Sequence, residues 1–152
     1  NLNFTSIVFI LLIVFFFSKA LGDEENNFLT LKNKEVNLRQ GPSFEYPIRL
    51  TYKKKNLPVI IIDKYENWIK TKDFKNNFGW IHISQLSRKK SAINLIKNSI
   101  VYKKPTIYSK PIVKLEIGRL VLIKKCKVQW CKITSGSFHG WIFKGNLWGK
   151  FK

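Results

Sequence analysis

The tripeptide Gly-Trp-Ile occurs twice in this chain, and so does much of what surrounds it. Residues 79–86 read GWIHISQL and residues 140–147 read GWIFKGNL. Sliding the chain against itself by about 62 residues aligns Asn56 with Gly118 and Val59-Ile60-Ile61 with Val121-Leu122-Ile123. It also aligns Trp68-Ile69-Lys70 with Trp130-Cys131-Lys132, and Leu86 with Leu147. The offset drifts only from 63 to 61, as single-residue changes in loops would produce. A period this long implies two small domains on one plan rather than a solenoid of short units.

Each copy reads as all-β. The stretches LPVIIIDKYENWIKTK and GRLVLIKKCKVQWCKIT alternate or run apolar and are rich in β-branched residues. They break at Lys64–Asn67 and near Lys127–Gln129, which are hairpin signals. Asn56 and Gly118 occupy the same slot before a strand, and these residue types tolerate positive φ best, so a turn is expected there. Gly79 and Gly140 are read as tight turns leading into the next strand. No stretch after the N-terminal segment shows an apolar stripe at helical spacing. About five short strands per copy point to a small barrel or half-open sandwich. Cores of this size rarely supply more than about 3–5 kcal/mol. Trp68, Trp80, Trp130 and Trp141 are therefore expected to be the main core payload. The first unit is placed at residues 28–90 and the second at 94–150. The boundary lies in the short polar stretch Ser87 to Asn94, so the two barrels are expected to touch.

The N-terminus is a separate matter. Ile7 to Phe17 is an unbroken apolar run of eleven residues, followed by Ser18-Lys19-Ala20. That length and the small-residue site fit a secretory signal covering residues 1–20, while a spanning helix usually needs 18 or more apolar residues. The expectation is export to the periplasm or beyond, with a membrane anchor as the alternative if the segment is uncleaved. No basic residue precedes the run and the chain opens on Asn1, so the reading expects a start further upstream.

Charge is lopsided. The net charge is +19, and residues 91–152 carry 13 Lys or Arg against one acid, Glu116. Such a field attracts polyanions. A codon bias toward Lys, Ile and Asn would inflate Lys without any ligand, but it does not explain the near absence of acids from the second half. Two cysteines, Cys126 and Cys131, bracket four residues. After an export signal, and facing each other across a hairpin, they are expected to form a disulfide.

Taken in order, these motifs resemble a tandem of bacterial SH3 domains of the exported Gram-negative subtype. The first copy opens with VNLRQGPSFEYPI and closes with GWIHISQLS, with KKNLPVIIID and NWIK between. The second is altered at its opening, IVYKKPTIYSKPI, where Tyr102 and Lys104 replace the family's Arg and Gly. It keeps GRLVLIKKC, WCKIT and GWIFKGNLWG, and the Cys pair that the subtype often shows. The resemblance implies two tandem SH3-like β-barrels of five to seven strands, envelope location, and peptidoglycan or peptide recognition. It implies no catalytic role.

Candidate sites follow from the residues. Tyr46, Tyr52 and Tyr108 lie in loop-like stretches, where aromatics stack on sugars, clamp peptides or staple loops to the core. Lys103, Lys104, Lys124, Lys125 and Lys127 belong to the denser basic field, suited to anionic polymers or lipid head groups. Arg39 and Gly41-Pro42 read as a structural turn opening the barrel, and Trp148 as a cover for the barrel's end. His82 and His139 are not equivalent positions, so no repeated metal or catalytic site is expected. The reading is a non-enzymatic, cofactor-free binding module for an anionic envelope component, peptidoglycan or lipid head group, or for an acidic protein partner. A structural adaptor in an envelope complex is the alternative, and a nucleic-acid-binding barrel the weaker one.

Overall fold

The computed structural model describes residues 27–152, so the expected signal segment lies outside the described residues. Fourteen strands form two antiparallel seven-stranded sheets. The first contains β1 (Phe28–Leu31), β2 (Val36–Arg39), β3 (Ile48–Tyr52), β4 (Pro58–Tyr65), β5 (Trp68–Lys72), β6 (Phe78–His82) and β7 (Leu86–Ser87). The second repeats it as β8 (Ser91–Asn94), β9 (Ser99–Tyr102), β10 (Pro111–Leu115), β11 (Leu120–Cys126), β12 (Trp130–Ser135), β13 (Phe138–Phe143) and β14 (Leu147–Lys150). Strand order is β3-β2-β6-β5-β4-β1-β7 in one and β10-β9-β13-β12-β11-β8-β14 in the other, the same permutation. The second sheet begins at Ser91, three residues before the expected start at 94, so Arg88–Lys90 is all that joins the units.

Both sheets curl at matching places. A register shift falls between Ile61 and Asp63 in β4 and between Ile123 and Lys125 in β11. Such bulges add twist and let a long strand bend across a barrel. Asn56 and Gly118 have φ of 65° and 81°, the positive values expected of that slot. Gly79 and Gly140 do not form turns. They lie inside β6 and β13, where a Cβ would meet the backbone oxygens of Arg39 and Tyr102, respectively, at 2.6 Å. Close passage of the neighbouring strand, rather than chain reversal, is why each Gly-Trp-Ile begins with glycine.

The cores are aliphatic. The first cluster includes Leu31, Val36, Leu38, Val59, Ile69 and Ile81, and the second Val101, Val121, Ile123, Cys131, Ile133 and Ile142. None of the four paired tryptophans belongs to either cluster. Of the expected core residues Trp68, Trp80, Trp130 and Trp141, only Trp68 and Trp141 are buried, and they lie outside the two aliphatic clusters. Side chains alternate along a strand, so when Ile69 and Thr71 point inward, Trp68 shares the outer face with Lys70 and Lys72. Trp68 and Trp141 are buried by neighbours on that outer face, while Trp80 and Trp130 are half-buried.

The two barrels are packed together. Ala92 enters the second core and the next residue, Ile93, enters the first, joined there by half-buried Leu120. Trp148, expected to cover the end of its own barrel, reaches across to the other one. Its ring meets Phe28 of the first barrel edge to face, with centroids 4.7 Å apart. Ser91 Oγ donates to the Asn56 carbonyl across the same junction.

Candidate functional site

An aromatic shelf stands at one place on the outer face of each barrel. In the first, Trp68 opens β5 and faces His82 at the end of β6 in direct register. The long loop after β2 lays Phe44 over both. Ring centroids are 4.8 Å apart for Phe44 and Trp68, 5.3 Å for Phe44 and His82, and 5.2 Å for Trp68 and His82. Phe44 is 65% exposed, so its outer face is open to a ligand.

Polar groups fix this shelf. Arg39 donates through one guanidinium nitrogen to the carbonyls of Phe44 and Tyr46, at 3.0 and 2.9 Å, and lies 5.6 Å from the Phe44 ring centre. The loop is thus held by Arg39 against the sheet, a stronger role than the simple turn expected from sequence. His82 caps the one-turn 3-10 helix at Ile83–Gln85, its Nδ1 accepting from the Ser84 N–H at 3.3 Å. A shallow cleft of about 170 Å³ runs along the shelf, with Glu35, Asn37 and Gln85 on its edge.

The second barrel repeats the arrangement with other residues. Trp130 opens β12 opposite Phe143, which stands where His82 stands and also precedes a 3-10 turn. The Trp130 ring is 6.0 Å from Phe143 and 5.8 Å from Tyr102, the residue that replaces Arg39. Backbone bonds of the two loops match one for one. The Gln40 N–H donates to the Pro47 carbonyl and the Lys103 N–H to the Lys110 carbonyl, which puts Ile107 in the place of Phe44.

The residues singled out in the sequence are dispersed. Tyr52 is buried, and its hydroxyl donates to Asp73 Oδ2 at 3.0 Å. Burial, then the negative charge of Asp73 and the hydrogen bond to it, pushes the Tyr52 phenol far above its usual range. It is a core post, the stapling alternative of the two roles expected for these tyrosines. Tyr46 packs on Gly41, where its ring occupies the space a Cβ would need, and stays half exposed. Tyr108 is 92% exposed at the tip of the second barrel's loop. Lys103 and Lys104 are exposed beside Tyr102, and Lys124 is exposed on β11. Lys125 and Lys127 cover the Trp141 ring at 5.8 and 5.3 Å, an outer-face cation–π pair. Cys126 and Cys131 are bonded directly across β11 and β12, with Cα atoms 4.0 Å apart.

Phe44 and Phe143 escaped the sequence reading, and His82 was weighed there only as a metal or catalytic group. A signal was present, because Trp68 shares a strand face with Lys70 and Lys72, and Trp130 with Lys132. A tryptophan on a lysine face is an outward one.

Among solved structures, NlpC2 from Trichomonas vaginalis is 14% identical over 82% of this chain and 48% of that one, with a TM-score of 0.38. An NlpC/P60 family protein from Bacillus cereus is 11% identical over 81% of this chain and 57% of that one, with a TM-score of 0.36. The chain thus spans about half the length of the solved proteins it matches. Among curated proteins, no relative matches it. The family described as bacterial SH3 domain matches at residues 32–88 and again at 97–149, the greater part of the chain and one segment in each sheet. The chain belongs to the bacterial SH3 domain family, as two tandem copies.

Proposed function

We propose that this protein is an exported, non-catalytic cell-wall binding module whose two aromatic shelves each engage a repeating unit of the envelope polymer. The observation that carries this reading is the duplication of the shelf: Phe44, Trp68 and His82 on one barrel, Tyr102, Trp130 and Phe143 on the other. Binding clefts combine aromatic walls with a few placed polar groups. Here Glu35, Asn37 and Gln85 supply those groups in the first barrel. Two weak sites on one chain gain avidity on a polymer that repeats, and very little on a small soluble ligand. Membership of the bacterial SH3 family supports a wall ligand, and the apolar run Ile7–Phe17 supports export to the periplasm. The net charge of +19 supports an anionic wall component and predicts weakening by salt.

The test is retention on purified peptidoglycan at rising salt, for the native protein and for Phe44→Ala, Phe143→Ala and the double variant. Each single change is expected to weaken retention about five- to tenfold, as removal of an exposed aromatic anchor does. The double variant should lose it almost wholly. No retention at low ionic strength, or full retention by the double variant, would reject the reading.

A further inference from the structure

The junction between the barrels holds a second site, on residues that the shelves do not use. A cleft of about 570 Å³ opens there, floored by Phe28 and Ile61 and lined by Lys64, Arg88, Lys90 and Lys150, with Lys152 at its edge. No Asp or Glu is among its lining residues. Lys64 comes from the first barrel, Arg88 and Lys90 from the linker, and Lys150 from the last strand of the second barrel. None of the four is in an ion pair among the described residues. Lys150 is only 9% exposed. Burial, followed by the nearby charges of Arg88 and Lys90, holds its ammonium below the usual lysine range.

Such a cluster raises the free energy of the folded chain, since like charges gathered beside an apolar floor are weakly screened. An occupant carrying two negative charges adds an attraction to each of these cations and so offsets their mutual repulsion and desolvation. Arginine offers a planar fork to phosphate oxygens and lysine a compact charge. The cleft volume falls within the range of about 300–1,000 Å³ typical of small-molecule sites. The geometry points to an anion-binding site at the junction, built by both barrels together, that takes a phosphoryl group. The group's source is a lipid head group or a free phosphate compound, the chemistry being shared.

Calorimetric titration with pyrophosphate tests this in the whole protein. One site per chain is expected. Arg88→Gln with Lys90→Gln should weaken it at least tenfold. Lys97→Gln with Lys110→Gln removes the same charge from the second barrel's far loops and should stay within threefold of native. Lys150→Met should abolish binding and raise the melting temperature, because it deletes a buried charge that only the ligand offsets. The shelf variants Phe44→Ala and Phe143→Ala should bind pyrophosphate as the native protein does, which separates this site from the proposed wall site. Vesicles of phosphatidylglycerol, compared with phosphatidylcholine, separate the sources. Capture that pyrophosphate competes away assigns a head group, and pyrophosphate binding without capture assigns a soluble phosphate. Three results overturn the assignment: no pyrophosphate binding, equal loss in the Lys97/Lys110 control, or binding only after Asp23, Glu24 and Glu25 are neutralised. The last would make the cleft a seat for the chain's own acids.

Discussion

Gly79 lies with its α-carbon against Arg39, so that a Cβ built there would stand 2.6 Å from the Arg39 carbonyl oxygen and 2.8 Å from Leu38 Cγ. Gly140 stands in the same relation to the Tyr102 carbonyl, also at 2.6 Å. The obstacle is backbone in a crossing strand, which cannot rotate aside. Gly79→Ala and Gly140→Ala are each expected to cost about 1–3 kcal/mol, the range for overpacking a tight site. Gly118 behaves differently, having open space around it and a φ of +81°. Gly118→Asn, which copies Asn56 in the first barrel, should cost only a few tenths of a kcal/mol. Urea midpoints for the three variants check both statements.

The Tyr52–Asp73 pair gives a pH signature. Asp73 also accepts from the backbone N–H groups of Lys75 and Asn77, both at 2.9 Å, so it organises the loop after β5. Tyr52→Phe removes one donor from a buried carboxyl and should cost about 1–2 kcal/mol near neutral pH. The folded phenol titrates above its unfolded value of about 10. Below pH 10 both states hold the proton and the stabilisation is complete. Above it the unfolded chain releases the proton first, so native stability falls as pH rises. Denaturation of the two proteins from pH 7 to 11 should therefore show their difference constant at first and shrinking beyond pH 10.

The strand pattern and the duplication were legible because they are local. Alternation along LPVIIID and the shared slot of Asn56 and Gly118 need no knowledge of distant residues. Which face of a strand turns inward is harder to read, since period two gives both faces equal standing. Tryptophan's size favoured the inside for Trp68 and Trp80. The deciding facts were their outward neighbours Lys70 and Lys72, and the inward pair Gly79 and Ile81. The shelf needed Phe44, whose position depends on how Arg39 ties a loop to the sheet. The junction cleft gathers residues 64, 88, 90 and 150, which no spacing rule connects. Tyr52 reads as a loop aromatic with either role open until Asp73, 21 positions later, is placed beside it.

The disulfide staples a hairpin turn of the same length as its counterpart in the first barrel, where Lys64 and Ile69 pair directly in the places of Cys126 and Cys131. In the first barrel the β4–β5 hairpin closes with Glu66 and Asn67, Glu66 taking a positive φ of 50°. In the second, Lys127 to Trp130 intervene between the directly paired cysteines, and the Lys127 N–H donates to the Trp130 carbonyl at 2.7 Å. Closing so short a loop is worth about 2 kcal/mol in the chain-entropy account. Cys126→Ser leaves buried Cys131 in place and removes only the cross-link. It is expected to lower stability by about 2 kcal/mol under oxidising conditions and to make no difference once both proteins are reduced. Urea denaturation with and without dithiothreitol provides the comparison.

Ile93 lies on β8 of the second sheet, yet its side chain is fully buried in the first barrel's core beside Leu31 and Val59. The second barrel thus completes the first. Truncating a buried isoleucine costs about 2–5 kcal/mol, and the loss falls where the cavity forms. Ile93→Ala should therefore loosen β4, β5 and β6 more than β11, β12 and β13, although the substituted residue belongs to the latter sheet. Native-state hydrogen exchange resolves the two groups of amides, since protection reports the free energy of the unit that opens. Ala92, the adjacent residue, faces the other core, so Ala92→Gly should reverse the pattern. Equal loss of protection in both sheets for both variants would mean that the junction transmits every perturbation. The pair would then be one cooperative unit, not two barrels sharing a strand's two faces.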